Sequence, residues 1–121
     1  MAGRYPLLTD EDIEGPIVRG LRNLGWDVEH AFETFGEKTL DLRLFEYAAS
    51  TGRVFVTTDV GHLRTAREWI DAGKASGFRM VWWPQRKTQE LRASVVLQAF
   101  ERLATKEGAF AYPIEFLEIR D

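Results

Sequence analysis

The chain has 121 residues, a formal net charge of −3 and no cysteine, and 45% of its residues are hydrophobic. This length and apolar content predict one compact domain over residues 1–121. The lack of cysteine excludes disulfides and thiolate–zinc sites, and the weakly acidic balance argues against tight electrostatic binding of nucleic acid by the whole surface. No signal-peptide core and no apolar run of about 20 residues is visible, so we expect a cytoplasmic protein without a membrane span.

Strand-like and helix-like segments alternate along the chain. The predicted strands are residues 5–9, 26–30, 53–58, 78–83 and 114–119. Apolar spacings of three and four residues predict helices, which cover residues 15–24, 39–50, 63–70 and 88–105, with a loop or short helical turn at 31–38. Because strand–helix–strand units cross over right-handedly, the pattern predicts a mainly parallel five-stranded sheet between two helical layers, a three-layer α/β/α sandwich.

Two of the predicted strands run into acidic residues. The first ends at Asp10-Glu11-Asp12, and the third, VFVTTD, ends at Asp59. If the strand order is 2-1-3-4-5, these two strands are neighbours at the point where the order reverses, and ligands of such sheets bind beyond the carboxyl ends there. Asp41 begins the helix before the third strand, on or beside its apolar face. We therefore expect Asp10, Asp41 and Asp59 to converge.

Three clustered carboxylates repel one another unless a cation neutralises them. Mg²⁺ and Mn²⁺ take oxygen ligands, and such ions activate water and stabilise charge on phosphodiester oxygens. The cluster therefore predicts a metal site of the kind that nucleases use. The alternative is helix capping, since acids are favoured at caps and in first turns. In that interpretation Asp10 or Asp12 caps the first helix, Asp41 lies in a first turn, and Asp59 caps the helix that follows it.

The segments LLTDEDI, GLRNLGWDVEH and LDLRLFEYAASTGRVFVTTD resemble the PIN-like superfamily, and more narrowly the short bacterial PIN-like proteins related to VapC-type toxins. The later strands and the long last helix also fit this pattern. The resemblance implies a metal-dependent ribonuclease that acts on RNA. It also implies a possible toxin role restrained by a small antitoxin protein, and a possible homodimer.

By position, the resemblance makes Asp10, Asp41 and Asp59 the catalytic ligands of Mg²⁺ or Mn²⁺, with Asp12 assisting. It also places Thr57 where its hydroxyl can bind a carboxylate or a substrate phosphate. The alternative for Thr57 is an ordinary β-branched residue of the strand.

The chain departs from the family pattern directly after Asp59. Where the family often continues Thr-x-Asp-x-Asp-Phe, Gly61 replaces the second acid and His62 replaces the aromatic residue. His62 can act as a general base or a phosphate contact, although we expect a surface or helix-start histidine. The missing acid keeps open a degenerate PIN-like module that binds RNA or protein without cleaving it.

The run Trp82-Trp83-Pro84-Gln85-Arg86 leaves the fourth strand beside the predicted site. Gln85 or Arg86 can reach a substrate phosphate there, since arginine suits bidentate phosphate binding. We expect the tryptophans to pack against the flanking helices, although one of them can stack on an unpaired base.

A response-regulator receiver domain would share the strand order and the acids after the first and third strands. Receivers also use a hydroxyl residue at the end of the fourth strand and a lysine after the fifth. The chain has Trp83-Pro84 and Arg120-Asp121 at these places, and Asp41 would have no role, which disfavours this class.

Overall fold

The computed structural model describes residues 3–85 and 92–120, whose centre is a five-stranded sheet. Its strands are β1 (Leu7–Thr9), β2 (Val28–His30), β3 (Val54–Thr57), β4 (Met80–Trp82) and β5 (Ile114–Phe116). The order is β2-β1-β3-β4-β5, and every neighbouring pair is parallel. The predicted order is therefore confirmed, with its reversal between β1 and β3.

Helices cover both faces of the sheet: α1 (Gly15–Asn23), α2 (Ala31–Phe35), α3 (Asp41–Thr51), α4 (Val60–Asp71) and α5 (Ala93–Ala104). Successive strand side chains point to opposite faces, so Val54 and Val56 pack in one apolar core with residues of α1 and α5. Phe55 packs in the other core with residues of α2, α3 and α4. The three-layer sandwich is confirmed. Within the described parts of the chain, no helix is both long and apolar enough to cross a membrane.

The observed strands are shorter than the predicted ones. The predicted strand 78–83 is reduced to Met80–Trp82, and the predicted strand 114–119 ends at Phe116. Apolar residues continue beyond the paired segments, because Trp83 and Leu117 remain buried after the ladder has ended. Hydrophobicity therefore predicted burial at these positions, but burial extends further than strand pairing. The start of the last helix, predicted at residue 88, lies outside the described residues.

The turn from α3 into β3 fixes the direction in which β3 reaches the carboxyl edge. Gly52 ends α3 in the left-handed region, with φ of 71°. Its backbone N–H donates to the Ala49 carbonyl, and the Arg53 N–H donates to Ala48. Only glycine adopts this φ without a steric cost, which explains the sequence break at this position.

Glu101 on α5 joins the helical layer to the segments before β1 and β2. Its carboxylate accepts a hydrogen bond of 2.7 Å from Nη2 of Arg4 and one of 3.0 Å from Nε1 of Trp26. The Arg4 bond lowers the pKa of Glu101, burial opposes this, and the Trp26 bond lowers the pKa further, so the pKa lies below its ordinary value.

We expect Glu101→Gln to lower the free energy of unfolding at neutral pH by at most about 1 kcal/mol, because the ion pair is partly exposed and screened. A carboxyl group with a lowered folded-state pKa stabilises the fold above its ordinary pKa and loses this effect as pH falls through the lowered value. Urea unfolding should therefore separate wild type from Glu101→Gln at neutral pH and not in strong acid. Glu118→Gln, which changes a more exposed carboxylate, is the control. A difference that persists unchanged in acid would contradict the assignment.

Candidate active site

A cavity of about 600 Å³ opens at the carboxyl edge of the sheet, beyond the ends of β1 and β3. Three segments line it: the acidic turn after β1, the approach to α3, and the start of α4. The lining residues are Asp10, Glu11, Asp12, Lys38, Thr39, Leu40, Asp41, Leu42, Leu44, Asp59 and His62. The structure thus brings the three predicted catalytic aspartates and Asp12 around one cavity.

Each aspartate is held by a different element. The Asp10 backbone N–H donates to the Val56 carbonyl at 2.9 Å, which extends the β1–β3 pairing by one residue, and the Asp10 side chain is buried. Asp41 is the first residue of α3. Asp59 is the N-cap of α4, and its Oδ1 accepts a 2.7 Å hydrogen bond from the Gly61 N–H.

The capping interpretation is therefore right for Asp59 and wrong for Asp10 and Asp12. Helix α1 begins at Gly15 with Glu14 as its N-cap, and no side chain caps it. The chain makes a turn first, closed by the Ile13 N–H donating to the Asp10 carbonyl at 3.0 Å. This turn separates both acids from the helix end.

His62 lies between the carboxylates. Its Nε2 is 3.0 Å from Oδ1 of Asp41, and its Nδ1 is 3.3 Å from Oδ2 of Asp10 and 3.9 Å from Oδ2 of Asp59. The side chain is buried, so the expectation of a surface histidine is wrong, although His62 does lie in the first turn of α4. It sits on the face of the helix that turns towards the sheet.

The hydrogen bonds around His62 are all satisfied when both ring nitrogens carry a proton. Nε2–H then donates to Asp41, and Nδ1–H donates to the Thr57 hydroxyl at 2.9 Å. The Thr57 hydroxyl in turn donates to Oδ2 of Asp10 at 3.1 Å. Burial lowers the pKa of His62, but the hydrogen bond to Asp10 and the charges of Asp10, Asp41 and Asp59 outweigh it, so the pKa lies above its ordinary value. A protonated His62 would place a positive charge among the three acids.

The ring of His62 also packs as an aromatic residue. Its centroid is 5.4 Å from that of Phe55 and 6.1 Å from that of Phe45, in edge-to-face arrangements. The residue therefore keeps the packing expected of an aromatic side chain at this position while its nitrogens contact the acids. The sequence contained a signal for this burial, because His62, Ala66 and Trp69 lie at helical spacing on one stripe of α4.

The cavity keeps an excess of negative charge. Partial burial raises the pKa of Asp12, and the charges of Asp10, Glu11 and Asp59 raise it further, while His62 lowers it. A raised pKa for an acid in this position means that further negative charge is disfavoured there.

Lys38 is a lining residue that the sequence analysis did not identify. Its backbone N–H donates to Oε1 of Glu11 at 3.2 Å, and its φ of 58° lies in the left-handed region. This conformation is uncommon outside glycine, and neither spacing nor hydrophobicity in the segment 31–38 signals it.

The carboxylates of the cavity are chemically suitable ligands for a divalent ion, because Mg²⁺ and Mn²⁺ bind carboxylate oxygens. Among residues 3–85 and 92–120, however, no three His, Asp or Glu side chains are grouped so that they could hold a metal ion. The oxygens of Asp10 and Asp41 face the nitrogens of His62 instead of a common point. Metal binding by these carboxylates would therefore require them to exchange contacts with His62.

Thr57 is central to this network, because its hydroxyl also accepts the Asp59 backbone N–H at 3.1 Å. We expect Thr57→Val to lower the free energy of unfolding by about 1–3 kcal/mol, since the buried partners Asp10 and His62 each lose a hydrogen bond. Thr57→Ser keeps the hydroxyl and should cost less. Urea unfolding of both variants checks this, and a loss for Thr57→Ser as large as that for Thr57→Val would contradict the dominant role of the hydroxyl.

The last residue of β4 and the residues that follow it are divided between the core and the surface. Trp83 is buried and its ring packs edge-on against Phe100 of α5, as expected for a core tryptophan. The indole Nε1 of Trp82 donates to the Asp59 carbonyl at 3.2 Å. Gln85 is exposed and is not among the residues that line the cavity. Arg86 lies outside the described residues.

The sheet order and the acidic cavity define an α/β protein whose candidate site lies where the strand order reverses. A family model described as a PIN like domain matches residues 6–85, and the chain therefore belongs to this family. The family is part of a superfamily that includes nucleases. The match to this family replaces the interpretation of the chain as a receiver domain. No curated protein and no solved structure matches the chain.

Proposed function

We propose that this PIN-like protein is a Mg²⁺- or Mn²⁺-dependent ribonuclease that hydrolyses RNA phosphodiester bonds at the acidic cavity. The observation that carries the proposal is the convergence of Asp10, Asp41 and Asp59, from three different elements, on one open cavity. A structural role alone does not require three acids together, since their mutual repulsion opposes folding.

Asp10, Asp41 and Asp59 are the residues that would hold the ion, with Asp12 at the rim. When bound, a divalent ion supplies positive charge to a phosphodiester oxygen and activates the attacking water. The chain itself positions these ligands. The β1–β3 pairing fixes Asp10, and the hydrogen bond from the Gly61 N–H fixes the side chain of Asp59. No covalent intermediate with the protein is part of the proposal.

His62 is a positioning residue in this scheme. Both of its nitrogens contact groups of the protein, Thr57 and Asp10 on one side and Asp41 on the other. While no ion is bound, it would therefore hold these two carboxylates in place and lower their repulsion. Thr57 acts through the same contacts, while Gln85 and Arg86 are proposed to bind substrate phosphate.

The resemblance to VapC-type proteins supports a narrower proposal, a cytoplasmic toxin that a small antitoxin restrains and that can form a homodimer. Induced expression in a bacterial host should then arrest growth, and expression of the Asp59→Asn variant should not. Growth arrest by both proteins would contradict the toxin role.

A second candidate function is a PIN-like module that binds RNA or a protein without cleaving it. The position of His62 favours this candidate, because a protonated imidazole at this place would neutralise part of the acidic cluster without a metal ion. In this case the cavity would need no metal to be stable.

A cleavage assay on a mixed pool of labelled single-stranded and structured RNA separates the two candidates. The ribonuclease proposal predicts cutting with Mn²⁺ or Mg²⁺ and none with EDTA. Cutting that continues in EDTA would contradict metal dependence. A folded protein that leaves every RNA of the pool intact with either metal would favour the binding module.

A further inference from the structure

Phe116 lies at the same carboxyl edge of the sheet as the cavity, two strands away from Thr57. The sheet register pairs Thr57 with Trp82, and Trp82 with Phe116. Since neighbouring strands are about 4.8 Å apart, Phe116 follows Thr57 along this edge at about 10 Å. The row ends at β5, the edge strand, where Phe116 leaves 48% of its surface exposed.

Two contacts define the surroundings of the Phe116 ring. The ring of Trp82 packs edge-on against it with centroids 5.7 Å apart, and the same indole donates its N–H to the Asp59 carbonyl. The guanidinium of Arg67, an exposed residue of α4, lies 5.6 Å from the centre of the ring. One tryptophan therefore touches both the cavity residue Asp59 and the exposed phenylalanine.

An exposed aromatic ring with an arginine beside it has the chemistry of a base-stacking site, where bases stack on rings and cations follow the phosphates. Phe32 provides a comparison, because it is equally exposed at 48%. It lies on α2, which packs against β2 at the opposite edge of the sheet. Among the described residues, an arginine lies over the ring of Phe116 and none over that of Phe32.

We propose that Phe116, supported by Trp82 and flanked by Arg67, is a stacking subsite for an unpaired nucleobase near the scissile phosphate. The inference rests on the proposed function, because the cavity supplies the scissile position. Phe116 would then select for unpaired bases, since bases within a duplex are already stacked on one another. A protein partner would use the apolar ring without requiring the nearby guanidinium.

Fluorescence anisotropy in EDTA tests the subsite without any cleavage. The probes are a labelled unstructured RNA oligonucleotide and a blunt duplex of the same sequence. We expect Phe116→Leu to weaken binding of the single strand by about 5- to 100-fold, as for the loss of one stacked base, with no change for the duplex. Phe116→Trp should retain binding, and Phe32→Leu is the matched control that should bind like wild type.

The outcomes separate the subsite from the nuclease. Three results would each overturn the subsite. They are unchanged single-strand binding by Phe116→Leu, equal losses of binding for both probes, and no RNA binding by wild type. Metal-dependent cleavage combined with unchanged binding by Phe116→Leu would keep the nuclease and remove the subsite. Phe116-dependent binding without cleavage would keep the subsite and favour the binding module.

Discussion

Asp41→Asn and Asp59→Asn should each reduce metal-dependent RNA cleavage by at least about 100-fold in kcat/KM. The reason is that a bound metal ion contributes several kcal/mol of transition-state stabilisation, and each 1.36 kcal/mol is about tenfold in rate. Both substitutions remove one negative charge from the cavity and preserve the shape of the side chain. Cleavage of a labelled RNA, measured over a range of substrate concentrations with Mn²⁺, gives the comparison.

Asp59→Asn also separates the two roles of this residue. Asparagine caps helices about as well as aspartate, so the hydrogen bond to the Gly61 N–H can be retained. The variant should therefore unfold at nearly the wild-type urea concentration while losing activity. Asp71→Asn, at the exposed far end of the same helix, is the control and should retain both properties. A fully active Asp59→Asn would show that Asp59 is only a cap.

His62→Phe should lower the free energy of unfolding in EDTA by about 3 kcal/mol, the lower end of the cost of removing one partner from a buried ion pair. Phenylalanine keeps a ring beside Phe45 and Phe55, so the loss reports the missing N–H donors and charge. Asp10, only 2% exposed, would keep its bond from Thr57 but lose the neighbouring cation. Urea unfolding in EDTA measures the effect.

Mn²⁺ should stabilise His62→Phe more than it stabilises wild type. A ligand that binds only the folded state raises its stability, and removal of the imidazole frees Asp10 and Asp41 to bind the ion. His30→Phe changes the other histidine, which contacts Thr9 on β1, and should show no such metal dependence. A His62→Phe variant as stable as wild type in EDTA would contradict the role of His62 as an internal cation.

The convergence of the acids was predictable because it follows from topology. Parallel strands end at one edge, so the positions of Asp10 directly after β1 and of Asp59 two residues after β3 define neighbouring sites once the strand order is known. The strand ends themselves were less predictable, because apolar residues such as Trp83 and Leu117 stay buried outside the paired segments.

His62 shows why the contents of the site were harder to predict than its position. A single histidine next to a helix start is usually solvated, and its polarity hid the fact that it continues the apolar stripe of Ala66 and Trp69. Its contact with Asp41 joins α4 to α3, and no local pattern specifies how two helices approach each other. Lys38 depends in the same way on a loop conformation without a sequence signal.

Direct measurement of Mn²⁺ binding tests the central claim, that the three aspartates form a divalent-metal site. The free-ion electron paramagnetic resonance signal of Mn²⁺ would be titrated with wild type and with Asp41→Asn, without RNA. We predict one saturable site in wild type that is lost or strongly weakened in Asp41→Asn. Wild type that binds no Mn²⁺, or an Asp41→Asn variant that binds it equally well, would contradict the claim and leave His62 as the counter-ion of the cluster.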